Sequence, residues 1–242
     1  MRKRDPRKLG HPRVHHRLTD STNARARDLA RQGAPHGTIV TASEQSAGRG
    51  REGRTWAAPS ARSLLLSVLV RGLGRGDELL PLAVPVAVAE AAEELAGARC
   101  AIKWPNDVWI DGRKVAGILL EGRPRERWAV IGIGLNVGTA AAEFPDELRD
   151  TATSLAIASG SDPGVEAALA SVLSHLERWL QAKPKEVLAA WRERDALEGR
   201  TVRWNGGEGK AAGLDESGAL LVDTEAGRVT LAAGEVHLGN SC

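Results

Sequence analysis

The sequence is poor in cysteine: only Cys100 and Cys242 occur in 242 residues. A structural disulfide is therefore not expected, and a reducing cytoplasm fits. No apolar run approaches the ~18–20 residues a membrane helix needs. The N-terminus, MRKRDPRKLGHPRVHHR, lacks the apolar core of a secretory signal. Net charge is only +2, with 33 basic against 31 acidic residues, which excludes a polybasic nucleic-acid coat. No Cys/His set has zinc spacing, and the adjacent His15 and His16 are not read as ligands. The phosphate-loop pattern GxxxxGK[ST] is absent. No nucleophile–base pair stands out either. His11, His15, His16 and His36 crowd the start, His175 falls in a helix and His237 in the C-terminal region, so hydrolase triads are disfavoured. GIGLNVG (132–138) is not a dinucleotide fingerprint: its third glycine is one place late, and its glycines end a strand rather than open a helix.

What is present suffices for a core, at 42% hydrophobic residues. Residues 1–17 are basic, contain Pro6 and Pro12, and are expected to be a disordered arm. A catalytic domain is expected over 18–198, and a small β domain over 199–242. Ser21-Thr22-Asn23 precedes ARARDLARQ, with Gly33 as the stop, which predicts a helix over 22–32. GTIVTA (37–42) and the doubly buried SLLLSVLV (63–70) read as strands. The alanine-rich segment 77–95 reads as helix, although Pro81 and Pro85 threaten its regularity. AIKW and DVWI read as strands. Asp111-Gly112 then marks a hairpin into KVAGILLE, and WAVIGIGLNV (128–137) adds another strand. Val165, Leu169, Val172, Leu173, Leu176 and Leu180 form one helical face. Pro184 ends it, and a second helix is expected over 185–197. After Gly199 short glycine-punctuated strands suggest a small antiparallel barrel, too small to be robust alone.

Five stretches carry chemistry. GRGREGR (48–54) sets three glycines among three arginines. Glycine lets backbone N–H groups approach a ligand, and guanidiniums fork around phosphate or carboxylate. A solvated basic loop is the alternative. KWPND (103–107) ends a strand in Lys103 and Trp104 and follows it with Asn106 and Asp107. A turn needs only the Pro and Asn. Lys114 opens an apolar strand and can point into a cleft, or merely be solvated. Asn136 could hydrogen-bond an adenine edge. Ser21-Thr22-Asn23 could cap a helix, present hydroxyls and an amide to a polar headgroup, or both.

In order, STN, EQSAGRGREGRTW, KWPND, KVAGILLE and GIGLNV followed by a small β domain resemble the biotin protein ligase family. The likeness spans nearly all the chain after residue 17. It implies an α/β (α+β) fold: a mixed central sheet flanked by helices, as in class II synthetase-like ligases, plus a C-terminal SH3-like barrel. It also implies that biotin and ATP give biotinyl-5′-adenylate and pyrophosphate, after which a lysine of a biotin carboxyl carrier protein is acylated.

Carried over by motif, Ser21, Thr22, Asn23 and Gln45 would meet the biotin head. Arg49, Gly50 and Arg51 would close over biotin and the acyl phosphate. Trp56 would pack beside the adenylate, with Gly117 also in the biotin site. Lys114 would lie against the carboxylate and α-phosphate, making Lys114 and Arg51 the catalytic pair. Arg54, Lys103, Asn106, Asp107 and Asn136 fall with the nucleotide. Mg²⁺ is expected on the ATP phosphates, with no protein ligand assigned. Glu52 departs from the arginine many relatives carry, which puts a catalytic role there in doubt.

Two anions meet when a carboxylate attacks a phosphate, so cations must neutralise the transition state. The carrier supplies the nucleophile, which accounts for the missing triad. Only 20 residues precede Ser21. A DNA-binding domain of ~50–60 residues does not fit there, so a ligase without repressor function is expected, as monomer or weak homodimer. The rivals are a lipoate or octanoate ligase of the same architecture and, from another class, a basic-loop nucleic-acid binder recognisable by salt-dependent binding.

Overall fold

A computed structural model of the protein describes residues 8–57, 61–74 and 77–239. The first sheet has seven strands in the order β1-β2-β3-β7-β6-β5-β4. They are β1 (Arg13–Thr19), β2 (Ile39–Gln45), β3 (Ser63–Arg71), β4 (Cys100–Lys103), β5 (Asp107–Ile110), β6 (Arg113–Arg123) and β7 (Trp128–Asn136). Only β1 and β2 pair in parallel, so the sheet is mixed. Strand β1 corrects one expectation: residues 13–17 are not a disordered arm but the edge of this sheet, in register with Ile39–Gln45. Residues 1–7 lie outside the described set.

Period-two alternation divides the sheet into two unlike faces. Leu64, Leu66, Val68 and Val70 of β3 join Ile131, Ile133 and Leu135 of β7 and Ala116 and Ile118 of β6 in the main core. That face is covered by α2 (Leu80–Ala96), which is apolar nearly all round and sandwiched against α4 (Val165–Trp179) and α5 (Pro184–Arg192). Pro81 sits in the first turn of α2, where its missing N–H costs nothing, and the helix continues through Pro85. The expected face of α4 packs on this core. The second helix begins at Pro184 itself and stops at Arg192, short of the expected 197. Ala196 N–H then bonds to the Ile102 carbonyl, pulling the chain onto β4.

The opposite face carries α1 (Thr22–Arg31) over a small cluster of Ala26, Ala30, Val40, Leu69, Trp128 and Val130. Beyond that cluster the face is left open. The short helix α3 (Leu155–Ser159) follows a looped segment. The chain ends in a five-stranded antiparallel sheet, β11-β10-β9-β8-β12. Its strands are β8 (Thr201–Trp204), β9 (Gly207–Leu214), β10 (Leu220–Thr224), β11 (Gly227–Leu231) and β12 (His237–Leu238). Val202, Leu214, Leu220 and Val236 belong to the same core cluster as the large sheet, so the small unit shares apolar burial with it.

Candidate active site

The open face of the first sheet is a cavity of about 520 Å³, a usual size for a small-molecule site. Its floor is made by missing side chains. On β7 the residues sharing this face are Gly132, Gly134 and Asn136, and on β6 Gly117 stands opposite Gly134. A Cβ at Gly132 would overlap the Asn23 amide. One at Gly134 would overlap the Trp56 indole, and one at Gly117 would lie 2.9 Å from it. Glycine at alternate positions of VIGIGLN thus empties one face and leaves the core face filled.

One end of the cavity is polar and tightly organised. Ser21 takes the N-cap position of α1, but its hydroxyl makes no capping bond, so capping does not account for it. Gln45 Oε1 accepts the Thr22 N–H at 2.7 Å and the Thr22 hydroxyl at 3.1 Å. Asn23 is 4% exposed. Its Nδ2 donates to Glu121 Oε2 at 2.9 Å and to the Leu119 carbonyl at 3.3 Å. Its Oδ1 accepts from Ser67 Oγ at 2.5 Å, and Ser67 also faces Thr22 Oγ1 at 2.9 Å. These bonds fix which way each amide points. Asn23 offers the cavity a carbonyl oxygen, while Gln45 offers Nε2, whose N–H groups meet no acceptor among the described residues.

The other end is cationic. Lys114 Nζ pairs with Asp107 Oδ1 at 2.7 Å and lies 5.6 Å from the centre of the Trp56 ring. Its backbone is held on both sides by the segment 151–153, through Lys114 N–H to Thr151 O and Thr153 N–H to Lys114 O. A register shift between β5 and β6 at Val108/Trp109 sets its direction. Lys103 stacks over Trp109 at 5.8 Å. Burial pulls its ammonium below the usual lysine range, partly opposed by Asp107 and Glu235. Asn106 Nδ2 donates to the Ile118 carbonyl, and Asn136 Nδ2 to the Thr153 carbonyl, so both amides brace the site and spend a donor doing it.

The glycine–arginine stretch spans the mouth. Arg51–Gly53 is one 3₁₀ turn, closed by the bridge Arg49↔Thr55. It touches the C-terminal unit: Arg51 donates to the Gly234 carbonyl at 3.3 Å, and Arg54 pairs with Glu235 at 2.6 Å. Glu52 is exposed in a left-handed conformation (φ 54°) and does not line the cavity. Trp56 lays its ring on the glycine floor, and its buried Nε1–H has no partner among the described residues.

Every residue that the resemblance assigned to the site borders this one cavity, from Ser21, Thr22, Asn23 and Gln45 through Arg49, Gly50, Arg51, Arg54 and Trp56 to Lys103, Asn106, Asp107, Lys114, Gly117 and Asn136. Trp104 does not: its Nε1 donates to the Gly218 carbonyl, tying the KWPND turn to the C-terminal unit. Sequence reasoning missed Ser67 and Glu121. The signals were there, a hydroxyl inside the apolar SLLLSVLV and a carboxylate ending KVAGILLE, each on the open face by alternation.

A sheet-floored cavity with a polar head site and a cationic mouth is the class of site that binds a small polar-headed acid together with an anionic partner. The comparisons give the family. Residues 15–137 match the model of the biotin/lipoate A/B protein ligase family, and 197–239 that of the biotin protein ligase C-terminal domain. The chain belongs to the biotin/lipoate A/B protein ligase family. It is 36% identical to "Biotin--[acetyl-CoA-carboxylase] ligase" of Mycobacterium tuberculosis over 91% of this chain and 86% of the relative. It is 35% identical to the bifunctional ligase/repressor BirA of Bacillus subtilis over 96% of this chain and 75% of that protein. Among solved structures, the Aquifex aeolicus biotin protein ligase in complex with biotin and ATP superposes with a TM-score of 0.83 at 31% identity, covering 96% of this chain and all of that one.

Proposed function

We propose that this protein is a biotin protein ligase. It joins biotin to ATP as biotinyl-5′-adenylate with release of pyrophosphate, then transfers biotin to a lysine of a biotin carboxyl carrier protein. The observation that carries this reading is the split character of the cavity: amides of fixed orientation at one end, cations at the other, and a glycine floor between. The Mycobacterium tuberculosis relative is a biotin–[acetyl-CoA-carboxylase] ligase, and the Aquifex aeolicus neighbour was solved with biotin and ATP.

A ureido ring presents one carbonyl acceptor and two N–H donors. Gln45 Nε2 and the Ser21 hydroxyl supply donors, and Asn23 Oδ1 supplies an acceptor. The apolar ring and chain of biotin then lie along the floor at Gly132, Gly134 and Gly117, beside Trp56. This directs the carboxylate toward Lys114. Arg49, Gly50 and Arg51 close from above, and Arg54, Lys103, Asn106, Asp107 and Asn136 border the nucleotide side.

A carboxylate oxygen attacks the α-phosphorus, a P–O bond forms, and the bond to the β-phosphate bridging oxygen breaks with its electron pair leaving on pyrophosphate. Lys114 and Arg51 neutralise the charge that builds on the phosphoryl oxygens. The product is a mixed anhydride, and the loop keeps water from it. A carrier lysine amine then attacks the acyl carbon, the bond from that carbon to the phosphate oxygen breaks, AMP leaves, and the amine proton passes to water.

Mg²⁺ enters this scheme with ATP, and what it supplies is further neutralisation of phosphate charge. The described residues hold no group of three or more metal-binding side chains, and the cavity carboxylates Asp107 and Glu235 are each paired to a cation. In this reading the ion would be carried by the phosphates, and no protein ligand is assigned to it. A cytoplasmic setting, where ATP and carrier meet, goes with the reading, as does action as a monomer or weak homodimer. No helix among the described residues is long and apolar enough to cross a membrane.

The test is calorimetric titration with biotin, lipoate and octanoate in parallel, followed by mass spectrometry of a carrier domain incubated with enzyme, ATP and biotin. Biotin binding and a biotinylated carrier lysine are expected. Binding of octanoate or lipoate in place of biotin would transfer the assignment to that branch of the family.

A further inference from the structure

Glu121 ends the KVAGILLE stretch but was given no role above, and it stands where the two halves of the site meet. Its carboxylate is half-buried, with 22% side-chain exposure. Oε1 takes Arg27 Nη1 of α1 at 2.7 Å. Oε2 takes the Asn23 amide at 2.9 Å, and the same oxygen faces Arg49 Nη2 of the loop at 3.6 Å. One oxygen therefore serves both the head-recognition amide and the first arginine of the loop. Alternation along β6 puts it there: Gly117, Leu119 and Glu121 share the open face.

We propose that Glu121 is a positioning residue that couples recognition of the biotin head to the seating of the glycine–arginine loop. The coupling is electrostatic and local. Asn23 Nδ2 donating to Glu121 and Ser67 donating to Asn23 Oδ1 hold the amide so that its oxygen faces the ligand. A ligand N–H on that oxygen polarises the amide and strengthens its donor bond to Glu121, and a more firmly held carboxylate is a better anchor for Arg49. Arg27 pairs with the other oxygen and does not line the cavity. This inference rests on the biotin reading, and it adds a residue that neither contacts the ligand nor reacts.

The experiment compares Glu121→Gln, Glu121→Ala and Arg27→Gln with the wild-type chain, after melting curves confirm that each folds. Gln keeps an oxygen for Asn23 but loses the charge that holds Arg49. Trypsin cutting within Arg49–Arg54 is followed without ligand and with biotin, and biotin Kd is measured by calorimetry. For Glu121→Gln, ligand-free cutting is expected to rise about two- to fivefold, the range of a partly exposed ion pair. Biotin should then protect the loop much less than in wild type, with Kd changed less than about threefold. For Glu121→Ala, Kd should weaken by about tenfold or more, because a hydrogen bond to a charged group is lost. Arg27→Gln should leave cutting and protection within about twofold of wild type. A Glu121→Gln loop that is cut and protected as in wild type overturns the proposal. So does an Arg27→Gln variant that behaves like Glu121→Gln, since Glu121 would then serve the fold alone. A wild-type protein that binds no biotin overturns the biotin reading, and the coupling with it. In that case the ligand-free cutting rates still test the Glu121–Arg49 contact by themselves.

Discussion

Two glycine-rich stretches meet in this cavity, and Gly134 of one and Gly53 of the other use glycine for opposite reasons. In GIGLN the backbone is ordinary strand, bonded on both sides to β3 and β6. There the glycines matter because they have no side chain: alternation turns Gly132 and Gly134 toward the open face and makes a floor. In GRGREGR the backbone lies in a single tight turn at the mouth, with φ 76° at Gly53. There Gly53 supplies a conformation that other residues adopt at a cost, while Gly48 is small for a steric reason, since a Cβ would lie 2.5 Å from the Trp56 carbonyl oxygen. A Cβ at Gly53 would meet nothing within 4 Å, whereas one at Gly134 would strike Trp56. At these two positions glycine is steric in the floor and conformational in the loop. Substitutions should therefore act steeply in the first and shallowly in the second.

The largest expected effect is at the end of the floor strands. Lys114→Ala should lower adenylate formation about 10²–10³-fold, the cost of removing one preorganised group from a charged transition state. Its melting temperature should stay near that of wild type, since the lysine pairs only at the cavity wall. Wild-type turnover would remove Lys114 from the mechanism. Next comes Gly134→Ala, which should weaken biotin binding by about 10–10²-fold, following the ~1–3 kcal/mol cost of forcing a methyl into the space held by Trp56. Gly53→Ala should cost only stability, about 1 kcal/mol for the left-handed backbone. Equal binding losses in the two alanine variants would erase the distinction between floor and lid.

Lys103→Met should divide stability from activity. Burial lowers the Lys103 pKa in the folded state, so folding pays for a buried cation at neutral pH. The sign follows: the penalty is present below the folded pKa and relieved as pH rises through it toward the unfolded value of 10.5. The Met variant should thus melt higher than wild type at pH 7, with the gap closing near pH 10.5, while its use of ATP falls. A gap that widens with pH would contradict the assigned environment. The smallest effect is expected for Glu52→Gly. Relief of about 1 kcal/mol of left-handed strain is offset by a similar entropic cost of glycine, so activity within about twofold of wild type is expected in the exchange assay.

The sequence made the motif residues legible because each motif is local: a cap-like triplet, a basic loop, a turn with Pro and Asn, a lysine before an apolar strand. It also made the strands of the central sheet legible, through long apolar runs. Strand β1 was not, because RVHHRLT lies at an edge with one side toward solvent and has no apolar run to betray it. The end of α5 was missed because Ala196 bonds to Ile102, a partner distant in sequence. The head-site network was hidden for the same reason. Ser67 meets Asn23 across 44 residues, and Glu121 meets it across 98. Such links become visible only when three strands are laid side by side. The glycines of GIGLN could be dismissed as a nucleotide fingerprint from spacing, but their use as a floor needed the register with Gly117.

The account stands on one cavity joining biotin to an α-phosphate. The most direct measurement is biotin-dependent exchange of labelled pyrophosphate into ATP by the purified protein, run with biotin, lipoate, octanoate or no acid. The account predicts exchange with biotin and background exchange in the other three. Exchange driven by octanoate or lipoate, with none from biotin, would contradict it.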